Sequence, residues 1–264
     1  MKDKNQHIIL KAQDLSIGYK TKKKETIVSS DINFEFHSGQ LIGLVGANGI
    51  GKSTLLRTLI KVQPQLSGRI LLNGTDLSEI SNMNLAKQLS IVLTEPLVSK
   101  NLSVFELIAL GRHPYTNWVG NLSKTDIFKI NEAISLVGIE EFTEKRCYEL
   151  SDGQLQKVMI ARALAQDTDL IVLDEPTTHL DMYHKAFILK LLKRLTKETG
   201  KTILFSSHEI NLAIQLCDSM IVMHGKKVIS DQPCNLIEKG SIEKLFPKDM
   251  ITFDALSGSF KVKK

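Results

Sequence analysis

The order of apolar and polar runs predicts an α/β fold, on three observations. A short apolar run, Leu41-Ile42-Gly43-Leu44-Val45, leads straight into a glycine loop and then into a helical stretch, Ser53 to Ile60. From Leu170 onward, runs of strand and helix character alternate: strand Leu170 to Leu173, helix Met182 to Thr196, strand Thr202 to Phe205, helix Glu209 to Cys217, strand Met220 to Met223. Ahead of both, Ile8 to Tyr19 and Thr26 to Phe36 have a β-like pattern.

The two opening runs predict an antiparallel sheet. Ile32, Phe34 and Phe36 alternate with Asn33 and Glu35, the period of a strand with one buried face. Leu85 to Thr94 predicts a short helix and then a strand, Ser90 to Leu93. After Pro96 the character changes: Ser103 to Leu110 and Thr125 to Val137 have helical spacing, and no strand pattern returns before Leu170. Residues of about 97–160 are therefore expected to form a helical insertion in one domain spanning 1–264. In the helix after Asp181, Ile188, Leu191, Leu192 and Leu195 form a buried stripe while Lys190, Lys193 and Lys197 face elsewhere. Near the end, Ile242 to Phe246 is a short helix candidate and Ser259 to Val262 a strand-like one.

Composition narrows the function class. Of 264 residues, 42% are hydrophobic and 24% charged, which excludes disordered and fibrous chains. No run approaches the roughly 18 apolar residues of a spanning helix, and Met1 to His7 have neither the apolar core nor the cleavage site of a secretory signal. A cytoplasmic chain is expected. Cys147, Cys217 and Cys234 lack C-x-x-C spacing, which favours buried or bystander thiols over a disulfide framework or zinc site. The net charge of +5, with basic runs at Lys20 to Lys24 and at Lys261, Lys263 and Lys264, fits solvated faces; no nucleic-acid partner is expected.

The chemistry sits in two segments. Gly46-Ala47-Asn48-Gly49-Ile50-Gly51-Lys52-Ser53-Thr54 fits G-x-x-x-x-G-K-[ST], in which glycines let backbone N–H groups surround phosphate oxygens and the lysine reaches the outer phosphates. Ser53 is then a candidate Mg²⁺ ligand. The flanking strand and helix are the context this motif requires, so ATP and Mg²⁺ are the expected ligands. The second segment, Ile171-Val172-Leu173-Asp174-Glu175-Pro176, ends a strand in two carboxylates, costly there unless a cation or substrate answers them. Asp174 is placed to hold Mg²⁺, and Glu175 to position or deprotonate the attacking water. Without the glycine loop, two solvated carboxylates capping a helix would be the preferred reading.

A third segment, Leu150-Ser151-Asp152-Gly153-Gln154, resembles the L-S-G-G-Q signature of ATP-binding-cassette transporter ATPases. The resemblance runs over about residues 8–235 and implies a phosphate-loop NTPase fold with a RecA-like core, an antiparallel β subdomain and an inserted α-helical subdomain. It implies that Tyr19 stacks on adenine, although a tyrosine there could equally be core. It makes His208, in Ser206-Ser207-His208-Glu209, the switch that contacts the γ-phosphate, and places Asp181, in Thr178-His179-Leu180-Asp181, at the subunit interface. Ser151, Asp152, Gly153 and Gln154 stand at the start of an expected helix, Gln154 to Ala165, whose N-terminus offers N–H groups and a positive dipole end to an anion; the resemblance implies that this anion is the γ-phosphate of ATP held by a second copy. A head-to-tail homodimer follows. Two positions depart from the family pattern. Asp152 replaces a glycine, bringing a carboxylate near a phosphate-binding helix end unless it turns to solvent. Glu95, in Leu93-Thr94-Glu95-Pro96, replaces the glutamine that senses Mg²⁺ and couples to the membrane subunit; a glutamate can also ligate Mg²⁺, with an extra negative charge, so Glu95 is expected to be a functional substitute.

Within the family, Leu107-Ile108-Ala109-Leu110-Gly111-Arg112-His113-Pro114-Tyr115 and Asp174-Glu175-Pro176-Thr177-Thr178-His179-Leu180-Asp181 resemble importer ATPases for iron–siderophore, haem and cobalamin uptake, though Arg112 to Tyr115 could simply break a helix. The implied partners are an integral-membrane permease and an extracytoplasmic substrate-binding protein, which place the chain at the cytoplasmic face of the membrane. The rival reading is a soluble ATPase of the same family acting in iron–sulfur cofactor assembly or on nucleic acid.

Overall fold

The structure, a computed structural model, describes residues 7–22, 24–94, 100–246, 251–254 and 258–262. They fall into two compact units, Met1–Ile80 with Thr202–Lys264, and Ser81–Lys201.

The first unit opens with a four-stranded antiparallel sheet in the order Glu25–His37, Ile8–Lys20, Ser67–Leu72, Thr75–Asp76. Ile32, Phe34 and Phe36 point inward as their alternation requires, and the rings of Phe34 and Phe36 stack with centroids 4.5 Å apart. The hairpin Ser67–Leu72 and Thr75–Asp76 was not anticipated from sequence. It turns on Asn73-Gly74, both at positive φ, 50° and 79°, and that dipeptide was the available signal. A second sheet has Leu41–Gly46 between Thr202–Ser207 and Ser219–His224, all three parallel, as the alternating pattern predicts. Lys227–Asp231 adds an antiparallel edge that the sequence reading left out. Leu41–Gly46 is buried throughout, which is why it reads as an unbroken apolar run rather than an alternating one.

Near the C-terminus, Glu243–Leu245 forms one 3₁₀ turn in place of the expected short helix, and Ser259–Val262 pairs with Ile251–Asp254. Phe260 packs edge-on against Phe246 and Phe253, which ties this hairpin down.

The second unit pairs Leu89–Val92 with Leu170–Leu173 in parallel. Among its described residues the segment between these strands holds helices Val104–Ala109, Lys124–Val137 and Asp152–Ala165, with 3₁₀ turns between them. Each helix starts at a serine whose hydroxyl accepts an N–H three residues on, while the side chain there answers the serine's own N–H: Ser103 with Glu106, Ser123 with Asp126, Ser151 with Gln154. Helix Met182–Thr199 follows, with Ile188, Leu191, Leu192 and Leu195 buried.

Arg112 does more than interrupt a helix. It lies in a 3₁₀ turn, Leu110–Tyr115, 4% exposed, its Nε donating to Asp126 Oδ1 at 2.8 Å and an Nη to the Ala165 carbonyl at 2.8 Å. Its guanidinium also stacks 4.0 Å from the centre of the Tyr115 ring. A buried guanidinium survives desolvation only with such partners, so Arg112 pins the turn to two helices at once.

Candidate nucleotide site

In the first unit the glycine loop leaves the carboxyl end of strand Leu41–Gly46. Val45 is level with Ser207 on the neighbouring parallel strand, so His208, the next residue there, emerges beside the loop. Carboxyl ends of adjacent parallel strands are where α/β folds bind ligands. Three glycines shape the loop. A Cβ on Gly46 would lie 2.8 Å from the Met223 carbonyl oxygen, and one on Gly51, at φ 111°, 2.3 Å from a Val28 methyl. Gly49, at φ 72°, is free of neighbours and needs glycine for its backbone alone.

Helix Lys52–Leu59 starts at Gly51 with no side-chain cap and no acidic residue in its first turn, so no carboxylate of its own first turn offsets the positive end that faces the loop. Lys52 is 5% exposed, and its Nζ donates to the carbonyls of Gly46 and Ala47 at 3.0 and 3.3 Å. A buried ammonium held over a loop of backbone N–H groups fits a polyphosphate, whereas Ala47, Asn48 and Gly49 stay exposed to admit it. Ser53 is half-buried in the first turn. Tyr19, near the end of strand Ile8–Lys20, is 51% exposed, which removes the core alternative, and its hydroxyl is 2.8 Å from Thr54 Oγ1.

The second unit carries the other group. Asp174 follows the carboxyl end of Leu170–Leu173; its N–H donates to the Val92 carbonyl at 2.9 Å, and its carbonyl accepts from Thr94 Oγ1 at 2.8 Å. Glu175 sits at φ 47°, a strained backbone for a residue with a side chain, in a turn closed by the Thr178 N–H donating to the Glu175 carbonyl. Thr178 Oγ1 also donates to Glu175 Oε2 at 3.1 Å, fixing the carboxylate. Neither threonine contact could be read from sequence, because each depends on the backbone path. A cavity of about 260 Å³ brings Asp174 and Glu175 together with Asp152 of the signature and with Lys100, Thr178 and His179. Asp152 therefore lines the same cleft as Asp174 and Glu175, whose wall also includes Leu93, Leu155, Met159 and Leu180.

The signature helix begins at Asp152, two residues earlier than expected, with Ser151 as its cap. Ser151 Oγ accepts from Gln154 N, and Gln154 Oε1 accepts from Ser151 N at 3.0 Å, so Gln154 orders the turn. Asp181 caps helix Met182–Thr199, accepting from the His184 N–H at 2.8 Å. That N–H, and after it the His184 ring, hold the Asp181 carboxyl below the usual carboxylate range. Glu95 lies outside the described residues.

A glycine cradle with a buried lysine at the carboxyl end of a parallel strand defines a phosphate-loop nucleotide-binding protein. Residues 29–178 match the model of the ABC transporter family, and the chain belongs to that family. It is an ATP-binding-cassette ATPase. A second model, of an AAA domain, matches the shorter segment 144–214. Among curated relatives, the iron(3+)-hydroxamate import ATP-binding protein FhuC of Bacillus subtilis is 38% identical over 84% of this chain and 81% of its own length. The petrobactin import ATP-binding protein FpuD of Bacillus anthracis is 34% identical over 95% and 91%. The achromobactin transport ATP-binding protein CbrD of Dickeya dadantii is 34% identical over 90% and 87%. Of solved structures, cbiO1 from Clostridium perfringens, part of the ABC transporter complex cbiONQ, superposes with a TM-score of 0.78 at 29% identity, covering 90% of this chain and 93% of that one. The dimeric cassette MJ0796, bound to ADP and Pi in a post-hydrolysis state, gives 0.71 at 25% identity, covering 85% and 99%.

Proposed function

We propose that this chain hydrolyses ATP at the cytoplasmic face of the membrane to energise import of an iron–siderophore, haem or cobalamin ligand through a separate permease. The observation that carries the reading is the similarity to ATP-binding proteins named for hydroxamate, petrobactin and achromobactin import, over 84% to 95% of this chain. Among the described residues no helix is long and apolar enough to cross a membrane, so the transported ligand needs a channel from another chain. The stretch from Glu95 to Tyr115 is the part of the chain offered to a cytoplasmic helix of that permease, and an extracytoplasmic substrate-binding protein delivers the ligand on the far side.

In this reading the loop Gly46–Thr54 binds the phosphates, Lys52 neutralises their charge and Tyr19 stacks on the adenine. Ser53 and Asp174, with Glu95, hold Mg²⁺, which supplies charge stabilisation at the phosphate oxygens. Glu175 positions the attacking water and His208 contacts the γ-phosphate. Two copies associate head to tail, and each lends Ser151, Gly153 and the first turn of its signature helix, with Asp181 beside them, to the other's ATP.

Purification of the tagged chain from detergent-solubilised membranes of its native cell tests this. Recovery of a polytopic permease with it, and ATP turnover responding to that permease, is the expected result. A chain found wholly in the soluble fraction and bound to an iron–sulfur assembly factor or nucleic acid would establish the rival reading instead.

A further inference from the structure

His184 belongs to none of the motifs above, yet it touches two of them. Its Nδ1 lies 2.9 Å from both carboxylate oxygens of Asp181, so that nitrogen carries the proton and donates it. The ring then stands over the signature turn. A Cβ placed on Gly153 would be 3.0 Å from Cδ2 of His184, 3.6 Å from Cγ and 3.7 Å from Nε2. Gly153 is the second residue of helix Asp152–Ala165, at ordinary φ, where glycine is a poorer helix former than alanine. Its backbone does not require glycine, and the imidazole is what a side chain there would strike. Tyr183 packs edge-on to the same imidazole, ring centroids 5.4 Å apart. One turn further along each helix the contact repeats, with Lys157 Nζ 4.4 Å from the centre of the Phe187 ring.

We infer that His184 is a positioning residue for ATP hydrolysis: within one protomer it fixes the signature turn at Gly153 to the interface loop at Asp181, so that both are presented to the second copy's nucleotide in one geometry. The inference rests on the head-to-tail reading. Its chemical content is a hydrogen bond on one side of the ring and van der Waals contact on the other. Misplacing a transition-state contact by a fraction of an ångström slows turnover without changing how each protomer binds nucleotide.

The test uses the full-length chain with His184→Ala and His184→Asn. Both keep the backbone N–H that Asp181 caps, and Asn also keeps a side-chain N–H toward the carboxylate while losing the ring. The expected result for both is a kcat lowered about tenfold, with KM for ATP, affinity for a fluorescent ATP analogue and melting temperature close to native values. Gly153→Ala should lower kcat similarly, and adding His184→Ala to it should lower kcat little further. Native kcat in His184→Asn, or a loss of kcat that tracks a fall in melting temperature, overturns the inference. Sedimentation of Glu175→Gln with Mg-ATP separates this from its premise. A dimer there leaves the head-to-tail reading standing whatever His184 does; a monomer removes the premise, and the inference with it.

Discussion

The phenolic oxygen of Tyr19 lies 2.8 Å from Oγ1 of Thr54, joining the end of the first strand to the first turn of the phosphate-loop helix. Thr54 is buried and Tyr19 is half exposed, so the bond holds an aromatic ring upright at the edge of the phosphate loop. A ring anchored at its polar tip presents a face to a base without first losing rotamer freedom.

Tyr19→Ala should weaken ATP binding by about tenfold or more, in line with roughly 1–3 kcal/mol for stacking of a base on an aromatic side chain. Tyr19→Phe keeps the ring and loses the bond to Thr54, so its effect should be smaller. Equilibrium titration with a fluorescent nucleotide measures both, and equal losses would show that the hydroxyl, not the ring, matters.

Lys52→Ala and Glu175→Gln should separate binding from turnover. Phosphoryl transfer is mostly positioning and charge stabilisation, so each should reduce phosphate release by about a hundredfold or more. Glu175→Gln should still bind ATP, whereas Lys52→Ala, without its cation over the loop, should bind it weakly. Phosphate-release assays beside nucleotide titration distinguish them.

What the sequence reveals follows from how local each signal is. The phosphate loop is legible because its glycines, lysine and serine are contiguous and bracketed by a buried strand and a helix. Asp174 and Glu175 are legible because carboxylates at the end of an apolar strand are conspicuous. Arg112 could be noticed but not understood, since Asp126 and Ala165 lie 14 and 53 residues away and come to it only through the packing of three elements. His184 was silent for the same reason: nothing about its spacing from Gly153 says that two helix starts will meet. The edge strand Lys227–Asp231 was missed because it alternates only weakly and is half-buried along most of its length. The expected helix at Ile242 to Phe246 has too few residues for pattern to tell a helix from a single 3₁₀ turn.

Gly111→Ala should destabilise the second unit. A Cβ there would lie 2.2 Å from the backbone carbonyl oxygen of Arg162, which cannot swing aside as a side chain could. A loss of about 1–3 kcal/mol is expected from such overpacking, read as a lower urea midpoint. An unchanged midpoint would mean that the 3₁₀ turn Leu110–Tyr115 is not packed on this helix in solution.

Acid should act through Asp126. The Ser123 hydroxyl, then its N–H and the Arg112 guanidinium, lower the Asp126 pKa against the opposing effect of burial. Because folding lowers that pKa, the stabilisation is complete above the unfolded value near 3.9 and disappears as pH falls through the folded value. Native protein should therefore lose stability below about pH 4 faster than Asp126→Asn does. Arg112→Met, which leaves the carboxylate buried beside an apolar chain, should cost about 3 kcal/mol or more at neutral pH. Urea melts across pH 3 to 7 check both.

The most direct test of the central claim mixes two inactive chains. Lys52→Ala retains Ser151, and Ser151→Ala retains Lys52, so a head-to-tail mixed dimer rebuilds one complete site from the two. Turnover of the mixture well above the sum of the separate variants is the expected result. Turnover equal to that sum would mean that each chain completes its own site, and would contradict the account.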